Sequence, residues 1–328
     1  MNERKKSSYI LTCSIILLLI LCFGVVLWLC KDNSIYLYCD KNVFTDFHTK
    51  LNGHTKSIPG LPVENTIESG IVNDEAICEQ NYSVNIKSGE PYNRFIYLKQ
   101  NVEKEGDYSL VVFDNFKQIP FKVDGTEMNY CTIHLTYDDD LYVPVTIDDL
   151  NNGCHRLVFI WLFNVNKKLS EKKVSELDYL VLSSALWTDV IVGENENENN
   201  VPYPTYQGEF FEECNNTISI QETDQEDSVW HGIIQPNFND NRIYLTAGNN
   251  NSENTARTVL WGLCDYEQIT MNPNGDYCIY AEIPEGKFIS QPISYETSTP
   301  TSHTYQTFSM NLDTGEIAYS DSVYLNAE

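Results

Sequence analysis

The sequence predicts a mainly β protein in which two tandem antiparallel β-sandwiches follow a single N-terminal transmembrane helix. Three observations support this prediction: an uncharged apolar run near the N-terminus, short strand-like segments separated by turn residues, and a degenerate repeat on either side of a polar linker. A chain of 328 residues is long enough for an anchor and two domains.

The first element is the apolar run Tyr9–Cys30, which contains no charged residue. A helix of this length extends about 33 Å and can cross the hydrocarbon core of a bilayer. Arg4, Lys5 and Lys6 precede the run, and a basic flank of this kind stays in the cytoplasm. The sequence therefore predicts a single-pass cell-membrane protein with residues 1–8 in the cytoplasm and the body of the chain outside it.

A cleaved signal peptide and a lipoprotein signal are the alternatives for this segment. A cleaved signal has an apolar core of about 7 to 15 residues and a cleavage site of small residues, whereas no alanine precedes Ala76. A lipoprotein signal would place small residues before the lipidated cysteine, but Leu27, Trp28 and Leu29 precede Cys30. An uncleaved signal-anchor helix at residues 9–30 fits the sequence better than either.

The composition describes an exported, folded and acidic body. Asp and Glu number 47 against 21 Lys and Arg, and the formal net charge is −26. A surface of this charge repels nucleic acid, so no nucleic-acid partner is expected. Hydrophobic residues make up 42% of the chain, which is enough for a packed core.

Two polar stretches divide this body. Residues 193–202 are polar and low in complexity and read as a linker, whereas residues 31–75 have little periodicity and read as a spacer above the membrane. The remaining segments are residues 76–192, predicted as the first β-sandwich domain, and residues 203–328, predicted as the second.

A degenerate repeat relates the two predicted domains. Five pairs of segments match in the same order at a spacing of about 150 residues. They are Asn93–Leu98 with Asn241–Leu245, Asp114–Ile119 with Asp265–Ile269, Tyr130-Cys131 with Tyr277-Cys278, Pro144 with Pro292, and His155 with His303. Matches in register indicate a duplicated fold unit, and two copies are too few for a solenoid, so each half is expected to close its own core.

The repeated unit has the pattern of antiparallel strands. Its strand-like segments alternate in polarity or are rich in β-branched and aromatic residues, and Gly125, Gly153, Gly275 and Gly315 mark tight turns between them. The segments are 108–113, 131–137, 141–147, 156–163, 258–263, 277–283, 287–293 and 304–312.

This pattern resembles the immunoglobulin-like β-sandwiches of membrane-anchored surface proteins of bacteria. The resemblance is one of architecture, covers about residues 76–328, and includes no functional motif. It implies display, scaffolding or binding, and it does not imply a particular ligand.

Cysteine placement leaves two possibilities open. Cys78 and Cys131 occupy places in the first half like those of Cys214 and Cys278 in the second. The sequence is compatible with one disulfide in each half or with buried free thiols.

No catalytic motif is recognised, so the sequence predicts a protein that is not an enzyme and has neither a cofactor nor a metal site. His155 and His303 lie at equivalent places and are expected to make a shared structural hydrogen bond. Residues 138–140, three consecutive aspartates, are expected to form a solvated loop, with a calcium site as the alternative.

Two functional classes remain. The leading one is a membrane-anchored extracytoplasmic binding or scaffold protein whose partner is a protein or a glycan, and the alternative is an anchored hydrolase with an unrecognised carboxylate site near residues 138–149. Segment 222–236 has no evident sequence counterpart in the first half and places apolar side chains among acidic ones. Its candidate partner-binding residues are Trp230, His231, Ile233 and Ile234.

Overall fold

The structure, a computed structural model, describes residues 67–73, 83–100, 105–136, 139–165, 184–193, 203–212, 218–221, 233–234, 242–249, 254–294, 303–320 and 323–325. The predicted cytoplasmic tail, the transmembrane helix at residues 9–30 and the linker from residue 194 onward lie outside these ranges. In the ranges described, no helix is long and apolar enough to cross a membrane.

The regular elements of the described residues are strands, which confirms the prediction of a mainly β protein. The first half contains β1 (Ile67–Val72), β2 (Ser83–Ile86), β3 (Tyr92–Gln100), β4 (Gly106–Asp114), β5 (Lys117–Gln118), β6 (Phe121–Val123), β7 (Thr126–Met128), β8 (Tyr130–Leu135), β9 (Asp140–Ile147), β10 (Gly153–Phe163) and β11 (Ser184–Val192).

The second half continues the same kind of structure. It contains β12 (Phe211–Glu212), β13 (Ile218–Gln221), β14 (Ile233–Ile234), β15 (Arg242–Gly248), β16 (Ala256–Cys264), β17 (Glu267–Gln268), β18 (Ile279–Ile283), β19 (Lys287–Ser294), β20 (His303–Asn311), β21 (Ile317–Tyr319) and β22 (Val323–Leu325). All eight segments that the sequence predicted as strands overlap strands of the structure.

Two sheets form the first half. Their strand orders are β1-β3-β9-β6-β7 and β2-β11-β10-β4-β5, with β8 also paired to β4. In immunoglobulin terms β1-β3-β9-β6 has the order A-B-E-D, and β11-β10-β4 has the order G-F-C. Between the sheets lies an apolar core that includes Tyr92, Leu110, Phe159 and Trp161.

The second half repeats this arrangement. Strands β13-β15-β19 are neighbours in the order of β1-β3-β9, and β14-β22-β20-β16-β17 follow the order of β2-β11-β10-β4-β5. Strand β14 runs parallel to β22, just as β2 runs parallel to β11. The second half closes its own core, so the expectation of a duplicated unit with one core per copy is confirmed.

Strand β1 changes one predicted boundary. The sequence assigned residues 31–75 to a spacer, but Ile67–Val72 pairs along its whole length with β3 at the edge of the first sheet. The first sandwich therefore begins before residue 76. Its sequence, Ile-Glu-Ser-Gly-Ile-Val, contains a glycine and no regular alternation, so periodicity did not reveal it.

Strand pairing also corrects two matches of the repeat. Asp114 pairs with Lys117 and Cys264 pairs with Glu267, so Asp114 is equivalent to Cys264 and its match with Asp265 is wrong by one residue. Leu110 pairs with Cys131, whereas Leu260, the equivalent of Leu110, pairs with Ile279. Cys131 is therefore equivalent to Ile279, and Tyr130 to Cys278. The sequence match of Tyr130-Cys131 with Tyr277-Cys278 is wrong by one residue.

The match of His155 with His303 is confirmed by the backbone. The N–H of Asn115 donates to the carbonyl of Arg156, and the N–H of Asp265 donates to the carbonyl of Thr304. His155 directly precedes Arg156, and His303 directly precedes Thr304, so the two histidines occupy equivalent positions in their strands.

A third apolar core lies between the two halves. In β10, Leu157 and Phe159 face the core of the first half, whereas Val158, Ile160 and Leu162 face the opposite side of the sheet. That opposite side packs against alternate residues of β16 and β20. The residues of this interdomain core include Val111, Phe113, Phe116, Val158, Ile160, Leu162, Val259, Trp261, Leu263, Phe308 and Met310.

Cys278 belongs to this interdomain core and carries a free thiol, so the possible pairing of Cys214 with Cys278 is not formed. Cys131 is buried in the core of the first half. Cys78 and Cys214 lie outside the described residues.

Candidate functional site

The predicted partner-binding residues fall at one edge of the second half. Ile233 and Ile234 form β14, the edge strand beside β22, with Ile233 opposite Tyr324. Trp230 and His231 lie outside the described residues. The sequence indicated no counterpart for segment 222–236 in the first half. Its described residues 233–234 take the place of β2 in the strand order, so for these two residues that interpretation is wrong. Partner binding by these four residues stays a prediction.

The carboxylates near residues 138–149 make local contacts. Asp139 accepts hydrogen bonds on Oδ2 from the backbone N–H and the hydroxyl of Thr136, each at 2.7 Å, and so closes a turn. Asp148 forms an ion pair with Lys122. Asp138 is outside the described residues. Asp139 and Asp148 thus stabilise strand connections.

The boundary between the halves is crossed by a reciprocal pair of glutamines. The backbone N–H of Gln118 donates to Oε1 of Gln268 at 2.7 Å, and the N–H of Gln268 donates to Oε1 of Gln118 at 2.8 Å. Each Nε2 group donates to a backbone carbonyl in the opposite hairpin: Gln118 to Tyr266 and Gln268 to Phe116. The two residues are equivalent in the repeat, so a local pseudo-twofold axis passes between them.

Aromatic side chains fill the interdomain core around this pair. Trp261 contacts Phe113 and Phe116 of the first half, with ring centroids 6.1 and 5.0 Å apart, and stacks on Phe308 of its own half. Tyr130 stacks on Tyr266 at 4.2 Å. Large apolar surfaces therefore meet on both sides of the boundary.

A second contact across the boundary joins Trp187 of β11 to Gly315, which has a φ of 74°. A Cβ atom on Gly315 would overlap the indole ring of Trp187. The Cζ atom of Arg156 lies 4.8 Å from the centroid of the Trp187 ring. The same guanidinium makes a bidentate ion pair with Asp189. Trp187 is thus fixed between a cation of its own half and a turn of the other.

In the first half, His155 occupies a closed corner beside the β4–β5 hairpin. Its Nδ1 lies 2.8 Å from Oδ2 of Asp114, and its Nε2 lies 2.8 Å from the carbonyl oxygen of Asn151. A carboxylate and a carbonyl accept hydrogen bonds only, so this corner favours the imidazolium, in which both ring nitrogens donate. The hydrogen bond to Asp114 raises the pKa of His155 against the opposing effect of burial.

The equivalent corner of the second half has a different set of side chains. Nδ1 of His303 lies 2.7 Å from Oδ2 of Asp265, whose Oδ1 accepts the N–H of Thr304 at 2.9 Å. Both histidines therefore make a structural hydrogen bond, as the sequence predicted, and the structure shows that the partner in each corner is an aspartate. The sulfur of Cys264 adjoins this pair, and the three potential ligand atoms lie within 4.8 Å of one another. Burial raises the pKa of the Cys264 thiol to about 12.

Sequence reasoning did not identify this group as a site. The available signal was the repeat itself, which placed Asp265 beside Asp114 and His303 beside His155. The sequence match does not point to Cys264, because the equivalence of Cys264 with Asp114 is established only by the strand pairing in the two hairpins.

No protein-family model and no curated protein matches the chain. One similar solved structure is a CARDB domain from Pyrococcus furiosus in complex with di-metal ions, with 10% identity, 42% of this chain and 97% of that chain covered, and a TM-score of 0.25. A PapD-like domain of human CEP192 has 12% identity and a TM-score of 0.23, with 44% of this chain and 94% of that chain covered. Fibronectin(III)-like modules of Clostridium thermocellum CbhA have 11% identity and a TM-score of 0.21, with 78% of this chain and 93% of that chain covered. TM-scores this low carry no inference about this chain.

Proposed function

We propose that this chain is a membrane-anchored extracytoplasmic binding or scaffold protein whose two β-sandwich halves act as one rigid body. The observation that carries the proposal is the interdomain core, closed by the reciprocal pair Gln118 and Gln268. Tandem domains move relative to each other by default unless their interface is extensive and apolar. Here one sheet of each half contributes buried aromatic side chains to the interface, and the glutamine hydrogen bonds fix the register of the two sheets.

A rigid pair of sandwiches suits a scaffold because it fixes the distance and direction of a binding surface relative to the anchor. A hinged pair would lose part of its binding free energy in ordering the two domains. The acidic surface, with a net charge of −26 for the whole chain, keeps the body away from other polyanions. The partner is accordingly proposed to be a protein or a neutral or cationic glycan.

The proposal is for binding without catalysis. Of the described carboxylates at residues 139–149, where the alternative hydrolase would have its site, Asp139 and Asp148 are engaged with Thr136 and Lys122. With no ion bound, burial raises the pKa of the Cys264 thiol to about 12, and a protonated thiol is a poor nucleophile.

Linker cleavage tests the rigid body. A protease site inserted within residues 194–202 would allow the backbone to be cut without a change in either sandwich. After cleavage of the full-length protein in detergent, the two fragments should co-elute as one species in size-exclusion chromatography. Separation of the fragments without denaturant would contradict the proposal. The Trp261→Ala variant, which removes the central ring of the interface, is the matched comparison and should release the fragments.

Membrane topology is tested in intact cells stripped of any wall. A membrane-impermeant thiol reagent should label Cys39, which follows the predicted anchor. The matched control is a Ser7→Cys variant, since residue 7 lies in the predicted cytoplasmic tail and should be labelled only after lysis. Labelling of Cys39 only after lysis would contradict the extracytoplasmic location. Cross-linking in the native cells, followed by identification of the captured molecule, then tests partner binding.

A further inference from the structure

We propose that Cys264, Asp265 and His303 form a binding site for one divalent transition-metal ion of the zinc type. A sulfur, a carboxylate oxygen and an imidazole nitrogen lie within 4.8 Å of one another. Thiolate, imidazole and carboxylate together are a donor set that suits Zn²⁺ and Co²⁺ and does not suit Mg²⁺ or Ca²⁺, which prefer oxygen ligands.

The fold brings the three residues together from two neighbouring strands. Cys264 is the last residue of β16, Asp265 follows it in the hairpin turn with a φ of 54°, and His303 is the first residue of β20. Cys264 pairs with Tyr305 in the ladder, so both strand ends are fixed by backbone hydrogen bonds. Ligands on strand ends are positioned by the sheet and need little further ordering on binding.

The carboxylate of Asp265 is already oriented. Its Oδ1 accepts the N–H of Thr304 at 2.9 Å, and its Oδ2 lies 2.7 Å from Nδ1 of His303. An ion that binds both Oδ2 and Nδ1 takes the place of the proton shared between them, and this proton and the thiol proton of Cys264 pass to solvent. The bond from Thr304 then serves as the outer hydrogen bond that metal-ligating carboxylates usually have.

The duplicated first half provides an internal comparison. The residues equivalent to Cys264, Asp265 and His303 are Asp114, Asn115 and His155, as the paired hairpins establish. In that corner both nitrogens of His155 are engaged by hydrogen bonds, and the side chain is 11% exposed. In the second corner the side chain of His303 is 30% exposed and faces a thiol and a carboxylate. The two copies thus share a backbone but differ in the donors at two of three positions.

Within the described part of the chain, three protein ligands are present, which leaves one position of a tetrahedron. Structural zinc sites use four protein ligands, whereas sites with three keep a water molecule or an exogenous ligand in the fourth position. The partly exposed histidine makes such a position accessible from solvent. The described residues thus favour an open site, in which a donor atom of a partner can complete the coordination.

Cobalt spectroscopy on the full-length protein in detergent tests the proposal. Stoichiometric Co²⁺ should give a thiolate-to-metal charge-transfer band in the near ultraviolet, together with the visible bands of a tetrahedral ion, and Zn²⁺ should abolish both by displacement. Cys264→Ser should eliminate the charge-transfer band. His303→Gln should weaken binding by more than the roughly 10- to 100-fold that the loss of an outer-shell partner causes.

The matched variants separate loss of the site from loss of the fold. The double variant Cys264→Asp with Asp265→Asn gives the second corner the residues that the first corner already accommodates, so it should fold and fail to bind. Cys278→Ser removes a thiol from the interdomain core and should retain the band. The proposal is overturned if wild-type protein gives no charge-transfer band, or if the folded double variant, checked by circular dichroism, retains it.

Discussion

Gln118 and Gln268 make four hydrogen bonds across the boundary between two copies of the same fold unit. Two of the bonds run from each backbone N–H to the other residue's Oε1, at 2.7 and 2.8 Å. The other two run from each Nε2 to the opposite hairpin, at 2.8 and 2.6 Å. A sliding or tilting of one sandwich against the other would break all four, so the pair fixes the register of the interdomain core.

The first prediction concerns the energy of this pair. Gln118→Ala and Gln268→Ala should each lower the free energy of unfolding by about 1–3 kcal/mol, because each leaves a backbone N–H of the other hairpin without its acceptor. The double variant should lose less unfolding free energy than the two single variants together. The difference, the coupling free energy measured by urea unfolding, should be about 0.5–3 kcal/mol.

Gln291 provides the control for the cycle. Its Nε2 donates to the carbonyl of Met271 within the second half, at 2.6 Å. Gln118→Ala combined with Gln291→Ala should therefore be additive. Additivity of Gln118→Ala with Gln268→Ala as well would show that the reciprocal pair is not formed in solution.

The second prediction uses two turn glycines with similar backbone conformation. Gly275 has a φ of 84° and no atom within 4 Å of the position that a Cβ would occupy, whereas Gly315 has a φ of 74° and faces Trp187. Gly275→Ala should cost only the roughly 1–2 kcal/mol of left-handed strain. Gly315→Ala should cost about 1–3 kcal/mol more, because the methyl group overpacks the interdomain contact.

Thermal unfolding of the two glycine variants provides the measurement. Equal destabilisation of Gly275→Ala and Gly315→Ala would mean that Trp187 does not contact the Gly315 turn. Replacement of Trp187 by a smaller side chain should remove most of the extra cost in Gly315→Ala and leave the cost of Gly275→Ala unchanged.

The third prediction concerns pH. The pKa of His155 is raised above its usual 6.5 by Asp114, so the charged ring stabilises the folded state. This contribution is fully present below the unfolded pKa and is lost as the pH rises through the raised folded pKa. The difference in unfolding free energy between wild type and His155→Gln should therefore be largest in mild acid and decrease towards alkaline pH.

His134 provides the surface control for His155. Its Nδ1 lies 2.8 Å from Oδ1 of Asp107, but the side chain is half exposed. Exposed ion pairs contribute only about 0–1 kcal/mol to the free energy of unfolding. His134→Gln should leave the unfolding free energy nearly unchanged across the same pH range. A His155→Gln difference that does not vary with pH would contradict an imidazolium at residue 155.

The fourth prediction concerns the thiol of Cys278. This residue lies in the interdomain core, and burial raises its pKa to about 12. Because the thiolate is the reactive form, Cys278 should stay unmodified by an alkylating reagent at neutral pH in the native protein and react fully in denaturant. Peptide mapping by mass spectrometry gives the extent of modification at this residue. Labelling should increase in Gly315→Ala, and rapid labelling of native wild type would mean that the interdomain core is open.

Local sequence patterns predict the β class, most strands of the two sandwich units, and the tight turns. Strands such as Arg156–Phe163 and Thr258–Leu263 were visible because β-branched and aromatic residues cluster between glycine turns, and Gly125, Gly153 and Gly275 all have the positive φ that these turns require. These features depend on neighbouring residues, so local pattern is sufficient to predict them.

The sequence also indicates the repeat, although the register of the matches is right at His155 and wrong by one residue at Asp114 and at Tyr130. Sequence matches tolerate a shift of one residue in a chain rich in tyrosine and asparagine, whereas a strand ladder does not. A shift of one residue in a sheet moves every side chain to the opposite face. Only the pairing of Leu110 with Cys131 and of Leu260 with Ile279 established the equivalence.

The way the two copies meet, and the set of side chains that form the candidate metal site, follow from the packing of distant strands. The run Leu157–Phe163 is continuously apolar, as is typical of a strand buried on both faces, but the run does not specify what covers the second face. The partner surface lies roughly 100 residues away in β16 and roughly 150 residues away in β20, and Cys264 comes beside His303 only through the ladder between these two strands. Contacts of this kind depend on the packing of distant segments, and a local sequence pattern contains no information about the distance between them.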